Sequence, residues 1–160
     1  MKKGFYILVL LMMFLCQSIF AQTDGKTKAA SVPKAELIDE LDKGLNSEDR
    51  SARIDNLLIK LQNDPNSKAA VVFYCGKECY YGEFEAHIRG IKIMKLDARK
   101  FDSSRFVFIY GGYRTESSVQ LWVVPNGAGL PLPESDIKFE DVKFKGKYKY
   151  KMITYDCCGL

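Results

Sequence analysis

AAVVFYC, at residues 69–75, is the stretch of sequence that decides the fold. It is short, it carries no charge, and it is rich in β-branched and aromatic side chains. This composition is typical of a strand that is buried on both faces in the middle of a sheet. Gly76, Lys77 and Glu78 end the run. We therefore predict a central strand here and expect the other elements to pack around it.

Two amphipathic helices are predicted, one before and one after this strand. Asn46 and Ser47 are suited to cap the first helix, which runs to about Asn63 because Pro65 follows soon after. Its apolar residues recur at i, i+3, i+4 and i+7, and they are Ile54, Leu57, Leu58 and Leu61. The same kind of spacing over residues 82–96 predicts the second helix.

Three further core strands and a β-rich tail complete the pattern. Strands are predicted at residues 37–38, 105–110 and 118–124. From residue 139 to 152, apolar or aromatic residues alternate with lysines, and this period of two predicts a β-hairpin around Gly146. The order β-α-β-α-β-β predicts an α+β fold, in which two helices pack on one face of a mixed β-sheet, with a C-terminal β-hairpin extension.

The first residues of the chain indicate export. Lys2 and Lys3 precede an apolar core, and Ala21 supplies a small residue at a cleavage position, which is the layout of a signal peptide. The expected organisation is signal peptide 1–21, flexible linker 22–35, α/β domain 36–133 and docked lysine-rich β tail 134–160. An uncleaved N-terminal anchor is the alternative. Lipidation at Cys16 is disfavoured because Leu15 stands where such signals have a small residue.

Charge and motifs narrow the classes of function. The chain has 24 basic and 20 acidic residues, and its net charge of +4 falls further if Lys2 and Lys3 leave with the signal. Such a mild charge does not indicate nucleic-acid binding. His87 is the only histidine, nothing beside it in the sequence marks a catalytic triad, and no nucleotide-binding or metalloprotease motif occurs. We therefore expect a protein that is not an enzyme and that uses no cofactor or metal ion.

Residues 53–74, RIDNLLIKLQNDPNSKAAVVFY, together with residues 89–96 and 101–112, resemble the periplasmic OmpA-like domain, which anchors outer-membrane proteins to peptidoglycan. The resemblance implies the arrangement of helices and strands over residues 37–125. It also implies peptide binding through an Asp after the central strand and an Arg early in the second helix. Arg89 matches that Arg, but Lys77 stands where the Asp is expected, so the ligand-binding motif is largely lost.

These features predict an exported, non-catalytic accessory or binding domain of the bacterial envelope, either periplasmic or secreted. The expected partner is a cell-wall polymer, an anionic envelope surface or an envelope protein, with no nucleic acid and no membrane span after cleavage. Ligand contacts are expected where charged and aromatic residues lie near strand ends and in the second helix, at Arg89, Lys77, Tyr113 and Arg114. The alternative is a peptidoglycan anchor that uses Arg89 with a displaced acid, Glu78 or Glu83.

The lysines of the tail are expected to project from one face of the hairpin, and they are Lys143, Lys145, Lys147, Lys149 and Lys151. One interpretation is contact with an anionic surface, to which each lysine contributes on the order of 1 kcal/mol. The other is a solvated face, whose lysines protect an edge strand against aggregation.

Four cysteines follow the expected signal: Cys75, Cys79, Cys157 and Cys158. In an oxidising compartment we expect disulfides, and four cysteines allow three pairings. The pairing that joins Cys75 to Cys79 is ranked last, because it also joins two adjacent cysteines in a strained ring. The other two pairings attach the tail to the core. Four thiolates would also suit tetrahedral zinc, but an adjacent pair is poorly spaced for one ion.

Overall fold

Residues 32–149 are the part of the chain that the computed structural model describes. Its helices and strands, in chain order, are β1 (Glu36–Asp42), α1 (Ser47–Asn63), β2 (Lys68–Cys75), β3 (Glu78–Tyr81), α2 (Glu83–Ile91), β4 (Phe106–Tyr113), β5 (Ser118–Val124) and β6 (Lys143–Lys147). The predicted α+β class, with two α-helices and a mixed sheet, is confirmed within these residues. The predicted signal, most of the linker, Lys151, Cys157 and Cys158 lie outside them.

The strand β2 lies inside the main sheet, whose strand order is β1-β5-β2-β4. It pairs in parallel with β4 along one edge and antiparallel with β5 along the other, and β1 pairs antiparallel with β5. The segment that contains α2 makes the crossover connection that a parallel pair requires. From Ala69 to Cys75 every residue of β2 is buried, so the predicted central strand is confirmed.

The helix α1 begins and ends where the sequence predicts. The side chain of Asn46 accepts a hydrogen bond from the backbone amide of Asp49 at 2.7 Å and so caps the N-terminus. At the other end, Arg105 Nη2 donates to the backbone carbonyls of Leu61 and Asp64, each at 2.9 Å. These bonds satisfy carbonyl groups that the last turn of a helix leaves free. The predicted apolar positions are buried, and they are Ile54, Leu57, Leu58 and Leu61.

The helix α2 follows the predicted position but changes its geometry near its end. Regular α-helix covers Glu83–Ile91, a wider π-helical turn continues over Lys92–Leu96, and a 3-10 turn follows. Phe84 packs on the same buried cluster as α1, with its ring centroid 5.9 Å from that of Phe73. Both helices therefore cover one face of the sheet, as predicted.

The wider turn places Lys95 between the two helices. Its side chain is only 9 % exposed, and Nζ donates to the backbone carbonyl of Ser51 at 3.0 Å and lies 3.1 Å from Asp55 Oδ2. Arg99 pairs with the same carboxylate at 2.8 Å. A buried ammonium is costly unless it is paired in this way, so the cluster fixes how α2 packs against α1.

The strand β4 continues through the glycines at which its sequence predicts an end. Gly111 is the extra residue where the pairing of β2 with β4 shifts register, between Phe73 and Tyr74. A Cβ atom on Gly111 would lie 2.5 Å from the ring of Tyr74, so only glycine leaves room for that buried ring. The strand ends at Tyr113, three residues beyond the predicted end at Tyr110.

The predicted C-terminal hairpin is wrong over the described residues. The strand β6 pairs in parallel with β3, and Gly146, with φ of +59°, lies within β6 and not at a reversal of the chain. A hairpin would have placed lysines of both arms near each other across a weak Lys-Gly-Lys turn. Pairing with β3 instead gives Lys145 the carboxylate of Glu78 as a partner and stacks Phe144 on Tyr81, with the ring centroids 4.7 Å apart.

The predicted attachment of Cys75 and Cys79 to the C-terminal cysteines is also wrong. The structure joins Cys75 to Cys79, and their Cα atoms are 5.6 Å apart. The chain bends at Lys77 between β2 and β3, and a Cβ atom on the neighbouring Gly76 would lie 2.9 Å from the backbone nitrogen of Ser117. Only two residues separate the two strands, so Cys79 at the start of β3 is near Cys75 at the end of β2.

Within residues 32–149, no helix has the length and apolar character needed to cross a membrane.

Truncation of the core side of α1 should destabilise the fold much more than truncation of its outer side. Leu61 is fully buried, so we expect Leu61→Ala to lower the free energy of unfolding by about 2–5 kcal/mol. Ile59 lies on the same helix but is 53 % exposed, and Ile59→Ala should cost less than about 1 kcal/mol. Chemical denaturation of both variants measures the difference, and equal losses would contradict the assignment of the buried face.

Candidate functional site

The four predicted ligand contacts lie on different elements, and the backbone amide of Lys77 donates to the carbonyl of Thr115, beside Arg114, at 3.4 Å. Arg89 is exposed on α2, and Lys77 is exposed in the turn between β2 and β3. The ring of Tyr113 is half-buried and packs against Tyr110 and Phe139, with each pair of centroids 5.8 Å apart. The ring of Tyr113 therefore belongs to an aromatic cluster beside β6.

Arg114 lies over the face of the sheet opposite to the helices. Its guanidinium carbon is 3.6 Å from the ring centroid of Tyr74, and its Nη1 is 2.7 Å from Glu40 Oε1. Glu40 also accepts hydrogen bonds from Ser118 at 2.7 Å and Gln120 at 3.0 Å. Burial alone would raise the pKa of Glu40, but these hydrogen bonds and the Arg114 charge together lower it. The bonding capacity of Arg114 is thus used inside the fold.

The acids proposed to assist Arg89 are engaged elsewhere. Glu78 forms an ion pair with Lys145, and Glu83 Oε2 lies 3.5 Å from the sulfur of Cys75. Among the described residues, no hydrogen bond or ion pair joins Arg89 to either acid. Arg89 and Glu83 are six positions apart on one helix, which points their side chains in different directions.

Four lysines of the tail form a row along and just beyond β6. Lys143, Lys145, Lys147 and Lys149 are exposed, so the predicted alternation holds although the hairpin does not. The alternating aromatic side chains face the domain, where the ring of Tyr148 lies 5.9 Å from that of Tyr80. Within the described residues, Lys145 is the one member of the row whose ammonium forms an ion pair. Its hydrogen bond to Glu78 raises the pKa of Lys145 and lowers that of Glu78.

A cavity of about 210 Å³ opens between the end of β1, β3 and α2. Its ionisable lining residues are Lys43, Arg50, Glu78, Glu83 and His87. Phe73 of β2 and Tyr148 beyond β6 contribute aromatic walls. The cavity is thus mixed in charge and partly aromatic. One of its lining residues, Glu83, also lies 3.5 Å from the sulfur of Cys75.

Glu83 lines this cavity and is half-buried. The backbone amide of Tyr80 donates to its Oε2 at 3.1 Å, and Cys75 Sγ lies 3.5 Å from the same oxygen. Burial raises the pKa of Glu83, although the Tyr80 hydrogen bond and the charge of Lys43 act in the opposite direction. A carboxyl group in this position can accept or release a proton closer to neutrality than an exposed one.

His87 stands one helical turn beyond Glu83 on α2. Its ring stacks on Phe73 at 5.0 Å, and its Nε2 lies 3.9 Å from Glu83 Oε1. Burial, together with the charge of Arg50, lowers the pKa of His87 from 6.5 to about 4. The imidazole is therefore neutral at neutral pH.

The residues around Glu83 have a regular spacing in the sequence, which is not visible when each residue is considered alone. Cys75, Cys79, Glu83 and His87 are spaced by four residues each, which resembles helical spacing although the first two lie on strands. Assessed alone, His87 has no visible partner, and the cysteines suggest only disulfides. The contacts of Glu83 with Cys75 Sγ and with the backbone amide of Tyr80 join these strand residues to the start of α2.

The chain matches no model of a known protein family, and no curated protein or solved structure is detectably similar to it.

The buried His87 should make the fold less stable in mild acid. Its folded pKa of about 4 is below the unfolded value of 6.5, so the unfolded state binds the proton more tightly. The free energy of unfolding should therefore fall as the pH drops from 6.5 towards 4, by on the order of 2 kcal/mol from this group.

Denaturation of the wild type and of His87→Gln at several pH values measures this contribution. Glu83 has the opposite effect, because its raised pKa favours the folded state at low pH, but it is present in both proteins and cancels in the comparison. His87→Gln should flatten the pH dependence between 6.5 and 4. An unchanged slope would mean that His87 does not titrate as a buried group.

Proposed function

We propose that the protein is an exported, non-catalytic binding domain of the bacterial envelope that binds a linear anionic polymer through the lysine row. The observation that carries the proposal is the exposure of Lys143, Lys145, Lys147 and Lys149 along one edge strand. The signal-like N-terminus and the resemblance to OmpA-like domains support the envelope location.

The spacing of the row favours an extended polymer. A strand rises about 3.3 Å per residue, so alternate lysines lie about 6.6 Å apart, with a local change where Gly146 distorts the strand. A chain with regularly repeated acidic groups can meet several of these ammonium groups at once. Each exposed contact is weak, about 0.2–1 kcal/mol, so useful affinity requires several of them together.

The aromatic side chains of the same segment favour a polymer over insertion into a bilayer. Phe144 is half-buried against Tyr81, and the ring of Tyr148 lies between Tyr80 and His87. These rings are used to hold β6 on the domain and do not extend outwards with the lysines. Contact through this face is therefore electrostatic.

A charge-matched pair of triple variants tests the proposal. Lys143→Gln, Lys147→Gln and Lys149→Gln together should weaken binding to poly-L-glutamate about tenfold at low salt, from three contacts of roughly 0.5 kcal/mol each. The control replaces three exposed lysines outside the row, Lys34, Lys60 and Lys68, by Gln and lowers the net charge equally. Fluorescence anisotropy with labelled polymer measures both, and added salt should abolish the difference because it screens exposed charges.

Equal weakening by the two triple variants would show a general charge effect and would overturn the proposal. So would an absence of binding at low salt, which would leave the lysines as a solvated face that protects the β6 edge. Binding to anionic lipid vesicles with no binding to the soluble polymer would also overturn it in favour of a membrane surface.

A further inference from the structure

Three potential metal ligands meet where β2, β3 and α2 come together. The sulfur atoms of Cys75 and Cys79 and a carboxylate oxygen of Glu83 all lie within 4.8 Å of one another. Thiolate and carboxylate are ligands that Zn²⁺ takes in proteins, and sites with three protein ligands leave a fourth position open. We propose that Cys75, Cys79 and Glu83 bind a thiophilic divalent cation such as Zn²⁺ when the disulfide is reduced.

The distances suit a tetrahedral ion with little rearrangement. With Zn–S of about 2.3 Å and Zn–O of about 2.0 Å, a bound sulfur and oxygen are about 3.5 Å apart. Cys75 Sγ and Glu83 Oε2 are 3.5 Å apart already in the disulfide form. Two bound sulfur atoms are about 3.8 Å apart, a separation that cysteines with Cα atoms 5.6 Å apart reach by side-chain rotation.

Neighbouring groups orient the carboxylate and give access to it. The backbone amide of Tyr80 donates to Glu83 Oε2 at 3.1 Å, and His87 Nε2 lies 3.9 Å from the other oxygen. Such neighbours fix the orientation of a metal-binding carboxylate. Glu83 and His87 also line the cavity of about 210 Å³, which provides the route from solvent to the cluster.

The cation can bind only when the disulfide is reduced, because only then do Cys75 and Cys79 supply thiolates. A thiol reductant breaks the bond between Cys75 and Cys79 by supplying two electrons and two protons, and the reductant itself becomes a disulfide. The two resulting thiols release their protons to solvent as they bind the cation. In the reverse step a small-molecule disulfide accepts two electrons from the two thiolates and takes up two protons to become two thiols, while the sulfur–sulfur bond forms again and the cation is released. The cluster therefore binds the cation in the reduced protein and not in the oxidised protein.

Cadmium is a suitable probe, because its binding to thiolates produces an ultraviolet charge-transfer band. The full chain carries Cys16→Ser, Cys157→Ser and Cys158→Ser, so that only Cys75 and Cys79 supply thiolates. After reduction with a phosphine, we expect one Cd²⁺ per chain, competed by Zn²⁺, and no such band before reduction. Circular dichroism of the same samples reports whether the reduced chain is folded.

A matched pair of acid variants separates this site from two free thiols. Glu83→Gln keeps the shape of the side chain and both cysteines, and it should weaken Cd²⁺ binding at least about tenfold. Glu78→Gln removes another acid that lines the cavity, and it should leave the affinity within about twofold. Equal affinity in Glu83→Gln and the parent would overturn the proposal, whether the reduced chain is folded or not. Absence of the thiolate band in the reduced parent would overturn it as well.

Discussion

The burial of β2 on both of its faces is the constraint on which the rest of the structure depends. From Ala69 to Cys75 the strand has no exposed residue, and both of its edges are hydrogen-bonded, to β4 and to β5. Burying each large apolar side chain stabilises the fold by about 1.5–3 kcal/mol, but only if both faces of the sheet are covered. The two helices cover the face that carries Phe73.

The opposite face of β2 is also covered, but by polar and charged side chains. Tyr74 is almost fully buried there, and its hydroxyl accepts a hydrogen bond from the backbone amide of Glu134 at 3.3 Å. Arg114 stacks on its ring, and Glu40 neutralises that charge. The sequence predicts Arg114 as a ligand contact because aromatic residues next to an arginine often line a ligand patch. The contact of Arg114 with Tyr74 depends on the register of β4 against β2, which the sequence alone does not show.

Local patterns predict the elements well, whereas pairings between distant segments escape them. The β2 run and the spacing of Ile54, Leu57 and Leu61 in α1 are properties of short windows, and the structure agrees with them. The pairing of β6 with β3 joins residues about 65 positions apart, and β3 is only four residues long. Nothing in so short a segment marks it as a strand until its partner is known.

In the candidate sites, too, the local patterns could be predicted from the sequence and the long-range pairings could not. The strand β3 takes part in both of the pairings that were missed. The lysine alternation is local and could be predicted, but the Cys75–Cys79 pairing depends on the bend at Lys77, after which the chain starts β3 in a second sheet. β3 then carries β6, because the backbone amide of Lys143 donates to the carbonyl of Lys77 at 2.7 Å and that of Tyr148 to Tyr81 at 2.9 Å. These backbone bonds do not involve sulfur. The proposed cation site and the proposed polymer-binding row therefore both depend on the position of β3, the first through Cys79 and the second through the pairing of β3 with β6.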